Sequence, residues 1–461
     1  MHAVLFRSLV VLPLVASALA AQSQWTQQSP TTMPPGRQGH GLVADIRRGV
    51  AVMFGGYSST NGLQNDTWEW NGNTWTQRSP TTSPPPRQQF AMSYDLIRGV
   101  TLLFGGAYSG DTWQYDGTNW TQLNPTSSPS SRCCAHMAFD IRRARVVLFG
   151  GYGQSAGMLG DTWEWDGTNW TQVQVANSPS PRCCGSMVYD SSRGVCVLFG
   201  GAATLNSDSA ETWEYDGTTW SLRTTAVHPS ARRGTNFMVY DTGRKRTVLF
   251  GGGSLGNGNP RYNDTWEWDG EYWIERKPST VPSVRFLHGM TYTPNRAQVV
   301  LFGGGSTAST TPNDTWTYSA TNTAQFERYG TACRGTAGTP SHDRTSSGPW
   351  IGSTFVIRTS SLPQTGVAAL FLGSSNTMWG TVPLPLKLDT LGMTGCELAT
   401  GPDIVVPASI VSGAVDWNFP LPNTASLVGL QFFSQAYVVD PGANAFGATL
   451  SNGCMATIGD L

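Results

Sequence analysis

Short runs of alternating apolar and polar residues fill the chain to about residue 320, each broken by a turn signal. In "GLVADIRRGVAVMFGG" (41–56) the period-two alternation predicts two strands, and Asp-Ile-Arg-Arg-Gly between them predicts the tight turn of a hairpin. A variable loop follows, and then a phrase such as "DTWEWDGTNWTQ" (161–172), in which two aromatic-rich strands flank an Asp-Gly pair. Asp-Gly accepts positive φ and suits a second hairpin turn. The unit therefore reads as four short antiparallel strands, with no helical period.

This unit recurs. "FGG" begins at Phe54, Phe104, Phe149, Phe199, Phe250 and Phe302, in steps of 50, 45, 50, 51 and 52 residues. A four-stranded sheet cannot bury both of its faces alone, whereas six sheets set radially around an axis bury each against its neighbours. The double glycine then lets backbones approach near the hub. Trp68, Trp113, Trp163, Trp213, Trp266 and Trp316, with Trp75, Trp120, Trp170, Trp220 and Trp273, are expected to fill the wedges between blades. The copies vary: Glu211 stands where the others have Asp, and Phe326 occupies the place of a sixth outer Trp. "QWTQQSP" (24–30) echoes "TWTQRSP" (74–80) without a unit of its own, so the N-terminal strand is expected to complete the sixth blade.

From about Gln325 the vocabulary changes to runs such as "STFVIRTS", "VAALFLGSS" and "LVGLQFFSQAYVVDPGAN", which predict an antiparallel β-sandwich. The expected organisation is an export signal over 1–21, a six-bladed β-propeller over 22–324 and the sandwich over 325–461, an all-β chain throughout.

The joint occurrence of Pro-x-Arg-x-x-His, "LFGG" and "DTW.WDG..W" resembles the kelch-repeat family of β-propellers over roughly residues 25–320. The C-terminal phrases "GC.L", "LVGLQFFSQAYVVDPGAN" and "ATLSN" resemble a module appended to many exported bacterial repeat proteins, which implies fold and export context and no catalysis.

The first residues change the picture of where the protein acts. Arg7, an apolar run from Ser8 to Ala20, and small residues at Ala16, Ala18 and Ala20 read as a secretory signal cut near Ala20 or Ala21, with an uncleaved anchor as the alternative. No later segment is long and apolar enough to predict a transmembrane helix, so the expected location is secreted or cell-surface. Only 13% of residues are charged and the formal net charge is −1, which argues against nucleic acid or a polybasic membrane patch as partner.

Arg37, Arg87, Arg132, Arg182, Arg232 and Arg285 begin the inner strand of each unit. Two readings stand side by side: six guanidinium groups ring the channel mouth and take an anionic ligand, or each Arg ties loops together by hydrogen bonds to carbonyls. The kelch resemblance favours ligand contact, because arginines at comparable positions in kelch domains hold acidic peptides. His40 and His288 fall three residues after the unit's Arg and join the candidate set, while His136 falls four after. Loops such as "YSSTNGLQN" and "GSTASTTPN" vary on the repeating frame and open on the same face, as recognition loops do. The expected partner is a protein segment or glycan on this face. Oligomeric state is not readable from the chain.

The resemblance also brings in copper radical oxidases such as galactose oxidase, whose centre needs two Tyr, two His and a Cys close to one Tyr. Here no Tyr-Cys pairing stands out and a seventh blade is missing, so no cofactor, metal or catalytic residue is assigned. In an oxidising compartment, Cys133 and Cys134 with Cys183 and Cys184 sit at the same place in adjacent units and suit either an inter-blade bridge or two vicinal disulfides. Cys333 with Cys396 is the preferred pair in the C-terminal domain.

Overall fold

The computed structural model describes residues 23–459 apart from 205, 255–259, 306–310, 321–323, 346–347, 423 and 425–426. The expected export signal lies outside the described residues. The chain divides into two compact units, the first ending at Ala320.

The first unit holds six four-stranded antiparallel sheets. In blade 1 the strands run Gly41–Asp45, Val50–Ser58, Gly62–Trp70 and Trp75–Arg78, from the hub outward. The second strand of every blade is buried on both faces: Ala51, Val52, Met53 and Phe54 are all 0% exposed. Such a strand is apolar throughout rather than alternating because a neighbouring blade covers each side.

The ring is closed by the chain's own start. Blade 6 is built from Gly289–Thr293, Gln298–Phe302, Thr315–Ser319 and, as its outer strand, Gln24–Gln28, with Trp25 opposite Tyr318. The sixth outer Trp is thus Trp25. Phe326 belongs instead to a strand of the second unit, Gln325–Tyr329. Inner strands contact their neighbours all the way round, that of blade 6 meeting that of blade 1.

Aromatic wedges hold the blades together. Trp120 of blade 2 donates from Nε1 to Thr67 Oγ1 of blade 1 at 2.9 Å, and the outer tryptophans of blades 3, 4 and 5 each reach the preceding blade's threonine in the same way. Each of these indoles is buried, and each such burial contributes about 1.5–3 kcal/mol. The double glycine is required by close approach: Gly55 and Gly56 have φ of 62° and 98°, and a Cβ on Gly55 would sit 2.9 Å from the Arg87 carbonyl oxygen of the next blade.

The second unit has a five-stranded antiparallel sheet, in the order Gln325–Tyr329, Ala448–Thr457, Gln431–Val439, Thr365–Gly373 and Ile404–Val411. A three-stranded sheet of Ser341–Arg344, Thr354–Ser360 and Val415–Pro420 accompanies it. Phe355, Ile357 and Trp417 of the smaller sheet share one core with Leu370, Val438 and Ala456 of the larger. Cys333 and Cys396 form a disulfide over 63 residues.

Candidate functional site

The six repeated arginines are buried and paired with carboxylates of their own blades, the arrangement of the loop-tying reading rather than of ligand contact. Arg37 is 0% exposed, and its guanidinium grips the Asp66 carboxylate of its own blade with two bonds of 2.5 and 2.8 Å. It also donates to the carbonyls of Pro35 and Gly55. Arg87 with Asp111, Arg132 with Asp161, Arg232 with Asp264 and Arg285 with Asp314 repeat the fork, and Arg182 reaches Glu211. The Arg therefore clamps the start of the inner strand to the residue that opens "DTW". Its charge is neutralised, so these side chains present no cationic collar. The same carboxylate accepts from the indole two residues on, as Asp111 does from Trp113 at 2.7 Å. Burial alone would raise Asp111, but hydrogen bonds from Arg87, Ser109 and Trp113 outweigh it and hold the carboxyl at about 2.

The histidines are likewise inter-blade packing. His40 lies edge-on to Phe302 of blade 6, with ring centroids 5.7 Å apart, and His288 edge-on to Phe250 of blade 5. Burial, helped by nearby Arg37, lowers His40 to about 3, and burial lowers His288 well below its usual range. His136 bonds the Phe149 carbonyl and accepts the Gly185 amide of blade 4 at 2.6 Å; burial brings it to about 4. These imidazoles are neutral and enclosed.

What the face does present lies one and two residues beyond each Arg. The residue after the Arg pairs by two backbone bonds with the residue after the double glycine: Gln38 with Tyr57 at 2.9 and 2.8 Å, Cys133 with Tyr152, Cys183 with Ala202, Arg233 with Gly253 and Phe286 with Gly305. The next residue links blade to blade. Gln89 donates to Gly39, Cys134 to Gln89, Cys184 to Cys134, Gly234 to Cys184, and Gly39 to Leu287, at 2.7 to 3.0 Å. A backbone hoop thus frames the channel mouth, open between Gly234 of blade 5 and Leu287 of blade 6, and its side chains differ from blade to blade. Tyr57 and Tyr108 are 38% and 45% exposed beside it, Gln38, Gln88 and Phe286 are half-buried, and Arg261 stacks over the Phe286 ring at 3.9 Å. The rim is aromatic and amide-rich, with Arg233 paired to Asp208 and Arg261 laid on an aromatic ring. Sequence reasoning reached Tyr57 only as part of a variable recognition loop and passed over Gln38, Gln88 and Phe286, because the residue after each Arg keeps no single type round the ring.

The channel below is narrow, a cavity of about 210 Å³ bordered by residues such as Met92, Met137, Met187, Met238 and Met290. That is smaller than the roughly 300–1,000 Å³ of most small-molecule sites. A cavity of about 440 Å³ in the second unit is walled by Leu372, Ile404, Phe419 and Phe432, and its carboxylate, Asp403, already accepts from Ser374.

Cys133, Cys134, Cys183 and Cys184, expected as disulfides, are free thiols. The residues do not fit a copper centre of two Tyr, two His and a Cys: the propeller's inner-strand histidines are locked between blades. Among the described residues no group of three or more His, Cys, Asp or Glu side chains is placed to hold a metal ion. No described helix is long and apolar enough to cross a membrane.

A family model described as the KLHDC2/KLHL20/DRC7 Kelch-repeats domain matches residues 14–167 and 145–348, well over half the chain. Two solved structures are similar to this chain. One, titled "Structure of YjhT", is 13% identical with a TM-score of 0.47, covering 62% of this chain and 96% of its own. The other, a fungal alcohol oxidase of the AA5 family in complex with copper, is 12% identical with a TM-score of 0.47, covering 94% of this chain and 99% of its own. No curated protein matches.

Proposed function

We propose, from the premise that this chain belongs to the kelch-repeat family, that it is an exported binding protein whose propeller holds a segment of another protein against the rim around its channel mouth. One observation carries the reading: in five of the six blades the backbone of the rim is fixed by paired bonds, while the side chains it displays, among them Gln38, Tyr57, Gln88, Tyr108 and Phe286, vary round the ring. A rigid frame bearing varied aromatic and amide groups suits specific recognition with little ordering cost. Because the repeated arginines are consumed by carboxylates, the segment recognised is held mainly through apolar, aromatic or amide side chains. Export rests on the N-terminal sequence alone.

The test is a displayed peptide library and a glycan array probed with the purified protein at low and high salt. Peptide retention that changes little with salt and is lost in the double variant Tyr57→Ala with Tyr108→Ala supports the reading. Ligands that are acidic and released by salt, or glycans alone, contradict it.

A further inference from the structure

Four thiols meet where blades 3 and 4 adjoin, and neither the packing of the wedges nor the rim reading uses them. Cys133, Cys134 and Cys183 are buried with Ala202, and Tyr152, Met158 and the half-buried Cys184 pack around them. Cys133 Sγ lies 3.4 Å from Cys134 Sγ, and Cys183 Sγ 3.3 Å from Cys184 Sγ. The thiols of Cys133 and, across the blade boundary, of Cys183 and Cys184 lie near enough to Cys134 to raise its titration well above the usual thiol range. Other blades carry Gln-Gly, Gln-Gln, Arg-Gly and Phe-Leu at this place, so the thiols are confined to one junction of the ring.

Geometry separates the ways these thiols can pair. The Cys133–Cys134 and Cys183–Cys184 peptides are trans, which sets their Cα atoms about 3.8 Å apart. A relaxed disulfide spans about 4.4–6.8 Å between Cα atoms, so the neighbours in sequence are too close to bridge without distortion. Across the blades, the Cys184 amide donates to the Cys134 carbonyl at 3.0 Å. A single N–H···O=C bond between two residues leaves their Cα atoms on the order of 5–6 Å apart, inside the disulfide range.

We propose that Cys134 and Cys184 form a thiol–disulfide couple, a redox clasp between blades 3 and 4 under the rim, with a small-molecule disulfide as its oxidant. Cys184, the half-buried member, is the point of entry. Its thiolate attacks one sulfur of the small disulfide and releases one thiolate, leaving a mixed disulfide on Cys184. The Cys134 thiolate then attacks the Cys184 sulfur, forming the cross-blade bond and releasing the second small thiolate. The two protons lost by the cysteines pass to the two released thiolates, and the pair of electrons reduces the small disulfide. In the alternative, the four cysteines are only small apolar fillers, as buried thiols often are.

The test uses the full chain incubated with oxidised glutathione, alkylated, digested with trypsin without reduction and read by mass spectrometry. Trypsin releases residues 133–142 and 183–193, each bearing one pair of cysteines. The expected product is these two peptides cross-linked, a species that disappears on reduction and in Cys134→Ser or Cys184→Ser, and that persists in Cys133→Ser and Cys183→Ser. The unsubstituted protein alone already decides the main point. Two separate peptides each lighter by two hydrogens, two peptides fully alkylated, a glutathione adduct with no cross-link, or a cross-link that survives Cys134→Ser or Cys184→Ser would each overturn the proposal.

Discussion

Trp75 donates from Nε1 to Thr315 Oγ1 at 2.9 Å, joining the first blade to the sixth across 240 residues of sequence. Trp25, the strand that completes blade 6, makes the equivalent bond to Thr265 of blade 5. The threonine after the repeated Asp is therefore the acceptor for the next blade's indole. Thr315→Val keeps the shape and strands a buried N–H, and is expected to cost about 1–3 kcal/mol in the urea unfolding free energy. Thr315→Ser retains the hydroxyl and is expected to cost less.

Arg132 is 1% exposed and holds Asp161 by two bonds while also reaching Gly150 O and Ser130. Arg132→Ala leaves a half-buried carboxylate without its partner and is expected to destabilise the propeller by about 3–5 kcal/mol. Arg132→Lys is expected to recover little of that, because a point charge cannot reproduce the fork. Ligand affinity per folded molecule stays unchanged; an Arg variant that folds normally and loses its ligand would restore the cationic-collar reading.

Stability falls as the solution is acidified through the ordinary histidine range. Burial depresses His136 to about 4 and His40 to about 3 from 6.5. The unfolded chain therefore takes up these protons first, so the stability from keeping the rings neutral is complete above pH 6.5 and is lost as pH falls towards 4. The slope reaches about 1.4 kcal/mol per pH unit for each histidine. Asp111, held at about 2, adds its loss only below the ordinary carboxylate range. The urea midpoint is expected to drop between pH 7 and pH 5, and the pH profile of His136→Gln to be shallower.

Reducing the Cys333–Cys396 bond opens a loop of 63 residues. By loop-closure entropy the second unit loses about 4 kcal/mol. Cys333→Ser with Cys396→Ser is expected to lower the melting of that unit, followed by calorimetry with and without reductant.

The blades were legible because their physics is local: short apolar runs between turn signals make the strands, Asp-Gly makes the turns, and the recurring "FGG" counts the copies. Closure was legible too, since "QWTQQSP" repeats the outer-strand phrase and has no other sheet to join. The role of the arginines was harder to see. Arg37 and Asp66 lie 29 residues apart, separated by a loop of variable length, so the pair shows only as an Arg and an acid present together in every unit. Glu211 was the clue, because the one copy that departs from Asp keeps the charge. The rim was not legible, for the positions beside a constant Arg become a surface only when the hoop of backbone bonds sets them side by side. Nor could the sequence choose among the pairings of Cys133, Cys134, Cys183 and Cys184, which depend on distances between blades.

Ring closure by the N-terminal strand can be measured by deleting residues 23–30 and following thermal unfolding through the near-ultraviolet signal of the buried indoles. The truncated protein is expected to lose its cooperative transition, and a peptide spanning 23–30 added in trans to restore it. A truncated protein that melts as sharply and at the same temperature as the whole chain would show that the six blades close without Trp25, contrary to the structure described above.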